Sequence, residues 1–361
     1  MRAWSFSCTK FKKRMSFFIK SSRFRYGIIL VFVGLLGMNF FKSPLIHIPE
    51  SSFTDFIQHK SPRVVLSAPY GKFGEQQAYR YLCSSLKKLG YSPVCIYGNA
   101  LMFIISRFMD IDVCISSDQE MICPKSSYNC LIVHSKLKQT KKKYDAILSV
   151  ISEAQAKKIF PDESIFPFYF SVPSTKFIDN PKTRLFFGGG IWDRYRKRIV
   201  KDLYKLLDDT GYFDLYGAKS LGINSYRGLI PLGEDSVLKV MRECGVTLVL
   251  HSNGHFLNDM PTARIFEAAA ASTVVITDKL PFIVKNFGDS VLYIDRDKSP
   301  EEMFEQINSH MQWILSHPKE AIELARRSHE IFIKNFTLEQ IMQKVMEGYK
   351  NSKKAKFKTI E

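Results

Sequence analysis

From Arg63 onward the chain repeats one pattern: a short β-branched and aromatic run, a turn, then a helical stretch. The first series opens with a strand at Arg63–Ser67, a loop carrying Gly71 and Gly74, and a helix from about Glu75 to Leu89. Strands are predicted next at 93–97, 112–116, 130–134 and 145–150. Prolines 161, 167 and 173 mark a boundary. The second series opens with Thr183–Phe187, then Gly188-Gly189-Gly190 and a helix from about Trp192 to Asp208. Its further strands are predicted at 212–216, 246–250, 273–277 and 290–294, with long helices after Pro300 and Pro318. Strands that alternate with helices form parallel sheets covered on both faces. The predicted body is therefore α/β: two Rossmann-like, doubly wound domains facing a cleft, over 63–180 and 181–349. Ligands of such sheets bind outside the carboxyl ends of the strands, where the strand order reverses.

The ends of the chain differ from this body. Residues 1–25 form a basic tail, and Tyr26–Phe41 is uncharged. As a helix that segment would span about 24 Å, short of a hydrocarbon core of about 30 Å unless flanking aromatic and basic residues extend it. It is read as an N-terminal membrane-anchor helix, followed by a polar linker at 42–62. The basic excess before it places the N-terminus in the cytoplasm by the positive-inside rule. A cleaved signal peptide, for which no small-x-small cleavage site follows the apolar run, and a shallow anchor on the cytoplasmic face are the competing readings, so the side holding the body stays open. Residues 1–63 carry 11 Lys/Arg against 2 Asp/Glu, and a second basic tail at 350–361 carries five Lys against one Glu. Most of the net charge of +17 thus sits on the ends, whereas a nucleic-acid binder shows a basic stripe on its body. A membrane is the expected partner, not nucleic acid. The seven Cys lack metal-ligand spacing, and most read as buried thiols.

The most informative stretch is Asn258–Ser272. Pro261 and Thr262 suit a helix start, with Thr262 a candidate N-cap. The small residues that follow let the helix lie close to a sheet. Its first turn offers free N–H groups and a positive dipole end, which suit a diphosphate. Arg264 would add a fixed cation, and Glu267 a carboxylate able to hold two ribose hydroxyls. The alternative is an ordinary i, i+3 ion pair on a surface helix. Gly188–Gly190 would let backbone approach a phosphate, with Arg194 and Arg196 close behind as cations; a solvated basic helix face is the plainer reading. His251 and His255 flank the loop before the helix, and His134 ends a predicted strand. Asp110-Ile111-Asp112 spells an acidic pair that holds a divalent ion in some transferases, but its place at a strand start points to coincidence.

Asn258–Ser272, continued through Val274–Pro281, resembles the donor-binding motif of group 1 glycosyltransferases of the GT-B fold, in the branch with an RIFEA-type helix. The similarity runs over roughly 183–345. It implies transfer of a sugar from a nucleotide-diphosphate sugar to a hydroxyl of a glycan, lipid or protein acceptor, without a metal or other cofactor. The family's acid–seven residues–Glu spacing falls on Asp259 and Glu267. Glu267 takes the ribose-binding role; Asp259, where the family usually has Glu, takes the place beside the sugar. Asp259 and His251 are the candidate catalytic residues. Gly189, Gly190, Arg194, Arg196, Thr262, Arg264 and Glu267 are the candidate donor-binding residues. The family's Gly after the helix is Ser272 here. A non-catalytic scaffold with a degenerate transferase fold and a sugar epimerase are the competing functions.

Overall fold

The computed structural model describes residues 46–47, 55–56, 58, 61–68, 73–97, 110–117, 122–123, 126–133, 142–189, 197–233 and 235–358. The first domain is built from β1 (Ile46–His47), β2 (Arg63–Ala68), α1 (Phe73–Lys88), β3 (Ser92–Tyr97), β4 (Ile111–Ser116), β5 (Ser126–Val133), β6 (Ala146–Ser149), α2 (Glu153–Ile159) and β7 (Ser164–Pro167). Its seven-stranded sheet has the order β1-β3-β2-β4-β5-β6-β7. All pairings are parallel except β1 against β3. The strands are near-continuous apolar runs because both faces are covered: Val64, Val65, Leu66, Val113, Cys114 and Ile115 are all buried.

The second domain follows with β8 (Arg184–Gly188), α3 (Lys197–Asp208), β9 (Phe213–Tyr216), β10 (Tyr226–Gly228), α4 (Ser236–Cys244), β11 (Gly245–Val249), α5 (Asn253–Leu257), α6 (Ala263–Ala270), β12 (Val274–Asp278), α7 (Pro281–Phe287), β13 (Leu292–Ile294), α8 (Pro300–Ser316) and α9 (Pro318–Asn335). Its sheet is wholly parallel, in the order β10-β9-β8-β11-β12-β13. That order reverses between β8 and β11, as in dinucleotide-binding sheets, which puts the ligand crevice at the ends of those two strands. At the opposite edge Asp214 accepts bonds from Arg184 (2.5 Å) and Arg227 (2.6 Å). Burial alone would raise the Asp214 pKa, but the two guanidinium groups hold it below the usual range.

The final helix, α10 (Leu338–Lys358), does not end with the second domain. The sequence reading closed that domain at 349 and set 350–361 apart as a tail; instead one helix runs through to 358, back across the first domain. It packs on α1, β5 and β7, and Tyr349 donates to Asp112 at 2.9 Å. Asp112 also accepts the Arg63 backbone N–H, so this member of the D-x-D sequence is spent on a structural joint. The crossing between domains is apolar: Tyr169, Phe266, Phe282 and Phe336 pack ring against ring with centroids 5.1–6.1 Å apart, and Ser171 Oγ donates to Phe336 O.

The linker between domains is sewn to the second sheet. Thr175 donates to Ala270 O and the Ile178 N–H to Ser272 Oγ. Lys182, almost fully buried, donates to Asn180 Oδ1 (2.6 Å) and Ser272 O (2.8 Å). Burial lowers its pKa to about 8, with Asp179 opposing. Ser272 has φ 60, a left-handed conformation that favours Gly. Serine is kept at this Gly-preferring position with both its hydroxyl and its carbonyl bonded. Six described cysteines are buried and free, five of them in the first domain. No helix among the described residues is long and apolar enough to cross a membrane; the proposed anchor at 26–41 lies outside them.

Candidate functional site

Four elements converge at the switch between β8 and β11. β8 ends on Gly188, and Arg264, on the first turn of α6, donates Nε to the Gly188 carbonyl at 2.9 Å. The same guanidinium pairs through Nη1 with Glu267 Oε2. The ion pair expected as an alternative is therefore real, but it is not a loose surface pair. Glu267 is 4% exposed, and Arg264 ties the helix to the end of the central strand. Such a bridge holds the cation and carboxylate at fixed positions beside the crevice.

Thr262 sits at the N-cap of α6 with extended backbone and makes no capping bond. Its Oγ1 is buried without a hydrogen-bond partner among the described residues. Unsatisfied buried hydroxyls are uncommon, so a polar group at this helix start has both a hydroxyl and the first-turn N–H groups to meet. Just past β8, the Gly189 N–H donates to Tyr216 O at 3.0 Å. A Cβ at Gly217 would lie 2.6 Å from Gly189 O, so this close approach of two backbones requires Gly217. Gly190, Arg194 and Arg196 lie outside the described residues.

His251 is 2% exposed and sits just past β11. Its backbone N–H and Nδ1 contact the two oxygens of Asp278, at 2.9 and 2.6 Å. Asp278 ends β12, so neighbouring strands supply both partners. Nε2 is buried with no partner among the described residues. A carboxylate on Nδ1 fixes the ring and leaves Nε2 as the working nitrogen. His255 has another use: its side chain closes a capping box with Ser252 at the start of α5. Asp259, at φ 46, accepts the Phe282 N–H at 2.7 Å and so caps α7. Its carboxylate is at least partly committed to that cap. Nearby, the Arg296 guanidinium stacks 3.9 Å over the Phe256 ring and donates to Asn253.

The first domain closes over this site through α1. Gln77 pairs with the Gly233 peptide in both directions, donating to O at 2.5 Å and accepting from N at 3.2 Å. One turn on, Tyr81 is buried, and its hydroxyl pKa is pushed well up, first by burial and then by the Glu267 carboxylate. Tyr81 of the first domain thus lies close enough to the Arg264–Glu267 pair to feel its charge. Sequence reasoning missed Gln77, Tyr81 and Asp278. Only Asp278 had a signal, as an acid directly after a buried strand.

Residues 196–347 match the model of a family described as glycosyl transferase-like. Among solved structures, HepE of Anabaena in complex with UDP and glucose is similar, with TM-score 0.52 at 11% identity. The match covers 80% of this chain and 100% of HepE. Sucrose-phosphate synthase of Thermosynechococcus elongatus is similar with TM-score 0.51 at 11% identity, covering 81% of this chain and all of that one. The pneumococcal O-GlcNAc transferase GtfA aligns at 12% identity and TM-score 0.47 over 72% of this chain. The chain spans only 61% of that transferase's length. No curated protein matches by sequence.

Proposed function

We propose that this chain, whose residues 196–347 match a glycosyl transferase-like family within a body of two parallel-sheet domains, transfers a sugar from a nucleotide-diphosphate sugar to an acceptor hydroxyl. In this reaction the bond from the anomeric carbon to the diphosphate oxygen breaks, and a bond to the acceptor oxygen forms. The acceptor proton is released, and the nucleoside diphosphate leaves with the electron pair. The diphosphate rests on the N–H groups of the first turn of α6 and on Thr262 Oγ1, and Arg264 meets its charge without a metal. Glu267 accepts from the ribose hydroxyls. His251, oriented by Asp278, offers Nε2 to a sugar hydroxyl or to the leaving oxygen. The acceptor, a glycan, lipid or protein, lies on the first domain, and closure at Gln77 and Tyr81 excludes water. Residues 26–41 tether the body to a membrane.

The single observation that carries this reading is the Gly188–Arg264–Glu267 bridge at the point of strand-order reversal. A thermal-shift screen of nucleotide sugars tests it. UDP-sugars come first, because the HepE structure holds UDP and glucose. A donor at a hundred times its Kd stabilises the fold by about 2.7 kcal/mol, and Glu267→Ala abolishes that shift. If no nucleotide sugar stabilises the wild type, the reading fails. A second reading, a non-catalytic binder, is favoured by the engagement of Asp259 as a helix cap. It predicts donor binding with no release of free nucleotide.

A further inference from the structure

We infer that the first domain carries two disulfide sites, Cys83 with Cys95 on one face of its sheet and Cys114 with Cys123 on the other, and that the structure shows both in the reduced state. This inference does not rest on the glycosyl-transfer reading. Cys83 lies on the inward face of α1, with Tyr79 and Leu86 one turn to either side, and all three are buried. Cys95 lies in β3, on which α1 packs. The two Sγ atoms are 2.7 Å apart, and Cys95 Sγ also reaches Tyr79 O at 3.2 Å. Cys114 lies within β4, between Val113 and Ile115, and successive strand residues point to opposite faces. Val113 and Ile115 share a core with Cys83 and Cys95, so Cys114 points to the other side. There Cys123 meets it, with Sγ atoms again 2.7 Å apart. The Cys123 N–H donates to Asn129 Oδ1 at 3.1 Å, and Asn129 is the β5 partner of Cys114. That bond pins the backbone of Cys123 over the same face.

Sulfur atoms this close need to approach by only about 0.7 Å to reach a bond of about 2.0 Å. The arrangement is selective. Cys130 and Cys244 are also buried, but among the described residues neither Sγ is within hydrogen-bonding reach of another thiol; Cys244 Sγ faces Asp214 Oδ2 at 3.7 Å. The partners are 12 and 9 residues apart, so each bridge closes a short loop. One ties α1 to β3, and the other ties β4 to the segment before β5. In forming a bridge, each pair gives up two protons and two electrons. A small disulfide oxidant such as oxidised glutathione takes them and becomes two thiols. Burial first, then Cys95, raises the Cys83 thiol pKa, and the Cys123 thiol first, then burial, raises that of Cys114. The pairs therefore react during folding or on opening of the domain, when a thiolate can form and meet the oxidant. Bridges of this kind persist outside a reducing cytosol. A spanning anchor with its basic tail in the cytoplasm would deliver the body to that side.

The test holds the full chain at equilibrium with equal amounts of oxidised and reduced glutathione, in urea below the unfolding transition so that the domain can open. Acid quenching, alkylation in denaturant and peptide mapping by mass spectrometry then read the state of each cysteine. Cys83 should be bonded to Cys95, and Cys114 to Cys123, in about nine-tenths of the chains or more, with Cys8, Cys130 and Cys244 bonded to no other cysteine of the chain. The bridged chain should melt about 5 °C or more above the same chain before oxidation. In the variant C83S the Cys114–Cys123 bridge should form as in wild type, and in C114S the Cys83–Cys95 bridge. Mapping of the wild type decides the matter even where a variant fails to fold. Either pair left as thiols or glutathione adducts, a bridge to Cys130 or Cys244, or a melting midpoint that does not rise would overturn the proposal.

Discussion

Two acids, at opposite edges of two similar sheets, gather donors in much the same way and serve different ends. Asp112 stands at the amino edge of the first sheet, where it takes a backbone N–H and a tyrosine hydroxyl. Glu267 stands at the carboxyl edge of the second and takes a guanidinium that is itself tied to Gly188 O. The first joins two parts of the chain that are both already placed. The second lies beside a helix start whose Thr262 hydroxyl is buried without a partner among the described residues and which no side chain caps. Under the proposed function, what separates the two uses is the edge, because strand carboxyl ends are where a doubly wound sheet leaves room for a ligand.

Exchanging the roles of the two acids is the sharpest way to break this contrast. Glu267→Gln should lower kcat/KM for donor about a hundredfold, the loss of two charge-assisted hydrogen bonds, and disturb the fold less, because the amide oxygen can still accept from Arg264. Asp112→Ala should do the reverse. It leaves two donors unmet and should reduce stability by about 2 kcal/mol in urea denaturation, with the donor KM within twofold of wild type. A donor KM that rises with Asp112→Ala would erase the distinction. Asp278→Asn should lower kcat about tenfold by loosening His251; an unchanged kcat would make the pair purely structural.

The smallest effect concerns pH. Lys182 has its folded pKa lowered to about 8, below the value near 10.4 of an unfolded lysine. Between these values the unfolded chain binds more protons, so this group makes stability rise with pH across that window. Buried thiols such as Cys83 and Cys130, raised by burial, act oppositely above about pH 9. The signal is therefore the difference between wild type and Lys182→Met. That difference should shift in favour of wild type from pH 8 to pH 10, and a flat difference would refute it.

The alternation of strand and helix was enough to read both sheets, because fully buried parallel strands are apolar along their whole length. The short, half-exposed β7 and β10 carried no such pattern. The return of α10 to the first domain depends on contacts such as Tyr349 with Asp112, far apart in sequence, which no local period records. At the site, Arg264 and Glu267 were legible because one helical turn places them together. Gln77 and Tyr81 were not, since their partners lie in the other domain. His255 and Asp259 looked chemical in the sequence, yet each is at least partly occupied as a helix cap.

The contact of Gln77 with Gly233 joins a carboxamide to the backbone N–H and C=O of one residue, and none of these groups carries net charge. Opening and shutting of the gap at this point should therefore be nearly indifferent to ionic strength and acidity. The two bonds also break together, so the contact behaves as a single catch. Grip on an anionic donor would weaken as salt rises, while the catch would hold as before.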